Sequence, residues 1–88
     1  MIDKSKVLKA RLVIFNCIME NEHADPVKCD VSPEEFITIV EDMDHDNLLD
    51  KVGYSRDQHG KALIAYLNTA EITPKGERYI DELIRKYK

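Results

Sequence analysis

The passage spanning residues 67–80 constrains this chain most, because it reads as the exit from a short sheet into a final helix. Thr73 can cap that helix through its hydroxyl, and Pro74 suits the first helical position, where its missing N–H costs nothing. Beyond them Tyr79, Ile80, Leu83, Ile84 and Tyr87 recur at the spacing of one helix face. Gly76 falls on the same face in the first turn. Glycine within a helix costs roughly 0.5–1 kcal/mol relative to alanine, so its presence predicts close approach of another backbone.

A chain of 88 residues leaves room for one core, and residues 1–88 are expected to form a single domain. A hydrophobic share of 43% beside 34% charged residues excludes a disordered chain. No apolar run, including the one over residues 12–15, approaches the length of a membrane span. Residues 1–6 lead into a charged amphipathic pattern rather than the apolar stretch of a secretory leader. Cys17 and Cys29 are too few for a disulfide scaffold and read as free thiols of a reducing cytoplasm. A formal net charge of -4 argues against non-specific wrapping of nucleic acid.

Residues 4–20 read as a first helix with Leu8, Leu12, Phe15 and Met19 on its buried face, flanked by Val7, Ile14 and Ile18. Lys4, Lys6, Lys9 and Arg11 are expected largely elsewhere on that helix. Residues 21–31 are polar, contain Pro26 and have room for one helical turn around residues 27–30. The run Ser32-Pro33-Glu34-Glu35 is a complete capping box with proline at the first helical position. Phe36, Ile39, Val40 and Met43 then line one face of a helix ending within residues 44–47, with Ile37 widening the stripe. Residues 48–54 and 62–67 read as two strands, joined by a turn-forming loop over residues 55–60. The expected core contains Leu8, Leu12, Phe15, Phe36, Ile39, Val40, Leu63, Tyr79, Ile80 and Leu83.

Helix, short helix, helix, strand, strand, helix is the order of a winged helix, an α+β fold of three helices and a β-hairpin wing, with a C-terminal helix added. The run Ile72-Thr73-Pro74-Lys75-Gly76, followed by Tyr79-Ile80, resembles a passage that follows the wing in many bacterial winged-helix proteins. More narrowly, the chain resembles the YjcQ-type small proteins of Gram-positive bacteria and their prophages. The likeness rests on the initial helix, on Val31-Ser32-Pro33-Glu34-Glu35-Phe36, on Gly53-Tyr54-Ser55 and on the closing Thr-x-Lys-Gly-x-x-Tyr. It implies a fold and no defined activity, and it brings no catalytic or binding residues.

Candidate chemistry is sparse. The alternating oxygens of residues 42–50 imitate the start of a calcium loop, but its twelfth position would fall on Gly53, which has no side chain to ligate. Cys17, His23, Cys29, His45 and His59 contain no Cys-x-x-Cys or His-x-x-x-His pair to seed a zinc site, and Cys17 reads as a small core residue. Cys29 with His23 lacks any sign of an oxyanion hole or an orienting third group. The glycines stand singly at 53, 60 and 76, so there is no phosphate-binding loop. The expectation is a non-enzyme with no cofactor and no metal.

In a winged helix the third helix usually lies in the DNA major groove. Here its best match, residues 32–46, falls in a stretch carrying Asp30, Glu34, Glu35, Glu41, Asp42, Asp44, Asp46 and Asp50 with no lysine or arginine. Duplex binding draws most of its affinity from cations meeting phosphates, so charge disfavours that docking. Cations gather instead on the first helix and around the wing. Arg56, His59, Lys61, Lys4 and Lys6 are the candidate nucleic-acid contacts, with ordinary solubilising residues as the plainer reading. Tyr54 and Tyr66 could stack on bases, although tyrosine in a strand is more often core or sheet surface.

Two functions follow as expectations. One is a small DNA-associated regulator of a bacterium or prophage, binding duplex DNA weakly through the wing. The other is an adaptor that docks a basic protein partner on Glu34, Glu35, Glu41 and Asp42. In either case the chain is expected to be a cytoplasmic monomer or weak homodimer.

Overall fold

Each helix after the first starts where side-chain chemistry offers a cap. The computed structural model describes residues 4–87, the side chain of Tyr87 excepted. The expectations for residues 1–3 and for the Tyr87 side chain lie outside it. Helix α1 spans Lys4–Met19, and α2 is a single turn, Pro26–Cys29. Asp25 caps α2 by accepting the Lys28 N–H at 2.8 Å, and Asp30 closes it in the left-handed region at φ 56°. Helix α3 spans Pro33–His45 and carries the capping box: the Ser32 hydroxyl accepts the Glu35 N–H at 3.1 Å, and the Glu35 carboxylate accepts the Ser32 N–H at 2.9 Å. Phe36, Ile39, Val40 and Met43 are all buried, as the spacing predicts.

Four short strands follow: β1 Leu49–Asp50, β2 Gly53–Arg56, β3 Ala62–Tyr66 and β4 Glu71–Ile72. Strands β2 and β3 form the antiparallel wing, with Tyr54 opposite Ala65. Strand β1 pairs with β4, Leu49 opposite Ile72. The single strand expected over residues 48–54 is therefore two. Lys51 breaks it by adopting a left-handed φ of 58°, and the Asp50 carboxylate accepts the Lys51 N–H at 2.9 Å. The pairing of β4 with β1 was not evident in the sequence.

Helix α4, Pro74–Tyr87, completes the fold. The Thr73 hydroxyl accepts the Gly76 N–H at 2.9 Å and donates to the Asn47 carbonyl, while the Thr73 N–H donates to the Leu48 carbonyl at 3.2 Å. The cap of α4 is thus fastened to the junction between α3 and β1. A β-carbon on Gly76 would collide with the Leu48 carbonyl oxygen and lie 2.9 Å from Ile72 Cγ2. That is the close backbone approach its position predicts.

The core joins Ile14, Phe15, Phe36, Ile39, Val40, Met43, Leu48, Leu49 and Ile80, with Leu83 also buried. Two expectations need correction. Helix α1 is rotated from its expected face: it buries Ala10, Ile14, Phe15 and Cys17, leaves Leu8 and Leu12 partly covered, and exposes Met19 by 56%. Apolar residues occupy most of its circumference, so periodicity does not fix its rotation. Close contact with α2 does, the Cys29 thiol reaching the Ala10 carbonyl at 3.8 Å.

Leu63 is not in the core. It is 53% exposed, and Ala62 is buried instead. A hairpin of two strands covers only one of its faces against the helices, so an all-apolar strand must leave some side chains outside. The whole is an α+β winged helix, with α1 to α3 followed by the β2–β3 wing, and with α4 added. No helix among the described residues is long and apolar enough to cross a membrane.

Candidate interaction site on the third helix and the wing

The burial of Phe36, Ile39, Val40 and Met43 turns the opposite side of α3 to solvent. Along that side Glu34, Thr38, Asp42 and His45 are exposed and Glu41 is partly covered. The acids of the stretch divide by task. Glu35 is engaged in its capping box, where the Ser32 N–H and hydroxyl, with Lys6 adding to them, hold its carboxyl below the ordinary range. Asp44 accepts the Tyr54 hydroxyl at 3.1 Å, and Asp46 faces the Arg11 guanidinium at 4.0 Å. Glu34, Glu41 and Asp42 form no ion pair with another described residue. Of the expected docking acids, these three remain available and Glu35 is occupied.

The wing stands against the C-terminal half of α3 through Tyr54. Burial, and then the hydrogen bond it donates to Asp44, push the Tyr54 phenol well above its ordinary pKa, so it stays a donor. Arg56 stacks on the Tyr54 ring at 4.9 Å and donates to the Gly60 carbonyl at 3.1 Å. Glu41, Asp42, Asp44, His45, Tyr54 and Arg56 line one open cleft between helix and wing. Arg56 therefore faces carboxylates and is not a cation standing clear of them.

His59 and Lys61 are exposed at the hairpin tip, where the Asp57 carboxylate accepts both of their backbone N–H groups at 2.8 and 3.0 Å. Arg56 is the last residue of β2, and His59 and Lys61 follow on the loop that joins it to β3. Lys4 and Lys6 belong to a different element, the first turn of α1, where Lys4 lines a groove with Leu8, Tyr79, Glu82, Leu83 and Lys86. Arg11 departs from its expected outward place. Its side chain is only 15% exposed, donates to the Tyr79 hydroxyl at 2.9 Å and lies over that ring at 5.6 Å.

An apolar surface lies beside these charges, and the sequence did not announce it. Leu63, Ile64 and Tyr66 of β3 are 53%, 50% and 47% exposed. They line a groove of about 250 Å³ together with Pro33, Phe36 and Ile37 of α3 and residues 23–26 before and at the start of α2. The available signal was the unbroken Leu-Ile-Ala-Tyr run in a strand with one partner.

Both cysteines are buried. Burial, with Cys17 and Asp25 nearby, pushes the Cys29 thiol up to about 11, so it remains protonated and a weak nucleophile near neutrality. His23 lines a cavity with Cys17 rather than with Cys29, and it shares no hydrogen bond with either thiol among the described residues. No three His, Cys, Asp or Glu side chains converge as a metal-binding group among the described residues.

Neither the curated proteins nor the solved structures contain a match to this chain. A family model described as "YjcQ protein" does match, over residues 12–86, from the middle of α1 almost to the end of α4. With that match covering nearly all of the winged helix, the chain belongs to the YjcQ family.

Proposed function

We propose that this chain is a non-enzymatic interaction module that docks a basic protein partner on the outer face of α3. The observation carrying this reading is that Glu34, Glu41 and Asp42 point away from the core without an ion-pair partner among the described residues. No lysine or arginine lies between residues 30 and 50 to offset them. Carboxylates at this spacing on one helix face attract cationic side chains and repel phosphates. The two buried free thiols suit a reducing cytoplasm.

Titrating isotope-labelled protein with an oligolysine peptide tests this reading. Amide shifts should centre on Glu34, Glu41 and Asp42 and fade with added salt, as exposed charge pairing does. Shifts confined to α1 or α4, or none at all at low salt, would remove it.

A second reading is a DNA-associated regulator of a bacterium or prophage. One observation favours it: His59 and Lys61 are exposed on the hairpin loop that follows Arg56 of β2. Their contact with duplex would be weak, because Arg56 is held on Tyr54 and faces the acids of α3.

A further inference from the structure

The acidic outer face of α3 does not end in plain solvent. Ile37 lies between Glu34 and Glu41 along the helix, at spacings that put all three on neighbouring positions of one side. Ile37 also forms a wall of the apolar groove completed by Leu63, Ile64 and Tyr66 of the wing. Farther along α3, the same two elements bound the cleft of Glu41, Asp42, Asp44 and His45. The groove and the cleft share no lining residue, but Ile37 of the groove lies one helical turn from both Glu34 and Glu41, so apolar and acidic surface adjoin on α3.

We infer that this groove receives a short segment of a protein partner that carries apolar anchor residues flanked by lysine or arginine. The inference rests on the reading of α3 as a partner dock and adds the anchor site and the partner's pattern. Apolar anchors would seat against Ile37, Leu63, Ile64 and Tyr66, where water is displaced from surface that is now half exposed. Flanking cations would meet Glu34, Glu41 and Asp42.

Charge and size select this occupant over the others. In a two-fold dimer built on this groove, each copy would bring its acidic α3 to the same patch of the other, and like charges there repel. The exposed apolar side chains are also few beside the roughly 800 Å² per partner of a standard protein interface. A duplex or an anionic membrane would meet carboxylates at the rim and an apolar floor that offers phosphates nothing.

The test uses the full chain and three helical peptides of equal length: leucine with lysine in amphipathic order, the same peptide with serine for leucine, and the same with glutamate for lysine. The leucine–lysine peptide should bind and move the amides of Ile37, Leu63, Ile64 and Tyr66. The serine peptide should bind at least about tenfold more weakly, the loss expected when a leucine-sized contact is removed. The double variant Leu63→Ser, Ile64→Ser should lose the same factor for the leucine–lysine peptide while binding oligolysine as before.

Equal affinity for the leucine and serine peptides would overturn the groove and leave the acidic dock standing. Equal affinity for the glutamate peptide would overturn the choice of a basic segment. Sedimentation showing a dimer that the double variant dissolves would mean that a second copy covers this face. If neither oligolysine nor the leucine–lysine peptide binds, the dock and the groove both fall. Should the double variant fail to fold, the peptide series alone decides.

Discussion

At the scale of single residues, Gly76 links sequence to fold most directly. Its place in the first turn of α4 runs against helix propensity, and the reason is the Leu48 carbonyl against its Cα. On an exposed helix, Gly76→Ala would gain up to about 1 kcal/mol from propensity. Here the added methyl meets backbone, which cannot rotate aside, and Ile72 lies close as well. We expect the substitution to destabilise by about 1–3 kcal/mol through overpacking, read as a lower urea midpoint at equilibrium. A midpoint above wild type would show that the contact yields at little cost. This position was legible because helix propensity disfavours glycine on a buried face unless a neighbouring backbone leaves no room for a side chain. Lys51 was not legible, since no local preference of lysine announces a left-handed turn, and the turn is fixed by Asp50, Thr69 and Glu71 around it.

Among the elements, α3 was legible from end to end because its start is encoded chemically and its apolar residues keep to one side. Ser32, Pro33 and Glu35 form the cap their order implies. Helix α1 was legible as a helix but not in its rotation, since Val7, Leu8, Leu12, Val13 and Ile18 are all partly covered and any of several faces would serve. The wing was legible as a hairpin, yet its exposed apolar face was not, because a strand's pattern does not reveal how many neighbours will cover it.

The capping box gives a prediction with a pH dependence. Ser32→Ala should cost about 1 kcal/mol near neutral pH through loss of the N-cap. The Glu35 carboxyl is held below its ordinary pKa in the folded chain, so its stabilising share is present above the unfolded value and is lost as pH falls through the folded one. The backbone N–H of residue 32 survives the substitution, and only the hydroxyl's part of that share is lost with it. The gap between wild type and Ser32→Ala should therefore narrow in part on acidification below about pH 4, followed by urea unfolding at each pH. A gap constant across that range would mean that Ser32 and Glu35 act independently.

For the whole molecule, the decisive property is that shape and charge disagree. The winged-helix arrangement presents α3 as the element that would enter a major groove. The sequence makes that element the most acidic stretch of the chain and sends its cations to α1, the wing tip and α4. The charge pattern was legible from the sequence alone. The apolar groove beside it was not, because it depends on how the wing stands against α3 through the Tyr54 to Asp44 hydrogen bond. Together they describe a winged helix whose third helix is acidic and borders an apolar groove, the combination on which the proposed protein dock rests.

The most direct measurement is an amide-shift map of the labelled chain titrated with random-sequence duplex at low and then moderate salt. Residues 34–43 should stay unmoved, and any shifts should be confined to Arg56, His59 and Lys61 and vanish as salt rises. Shifts concentrated on residues 34–43 would place α3 in the groove after all and contradict its proposed role as a protein dock.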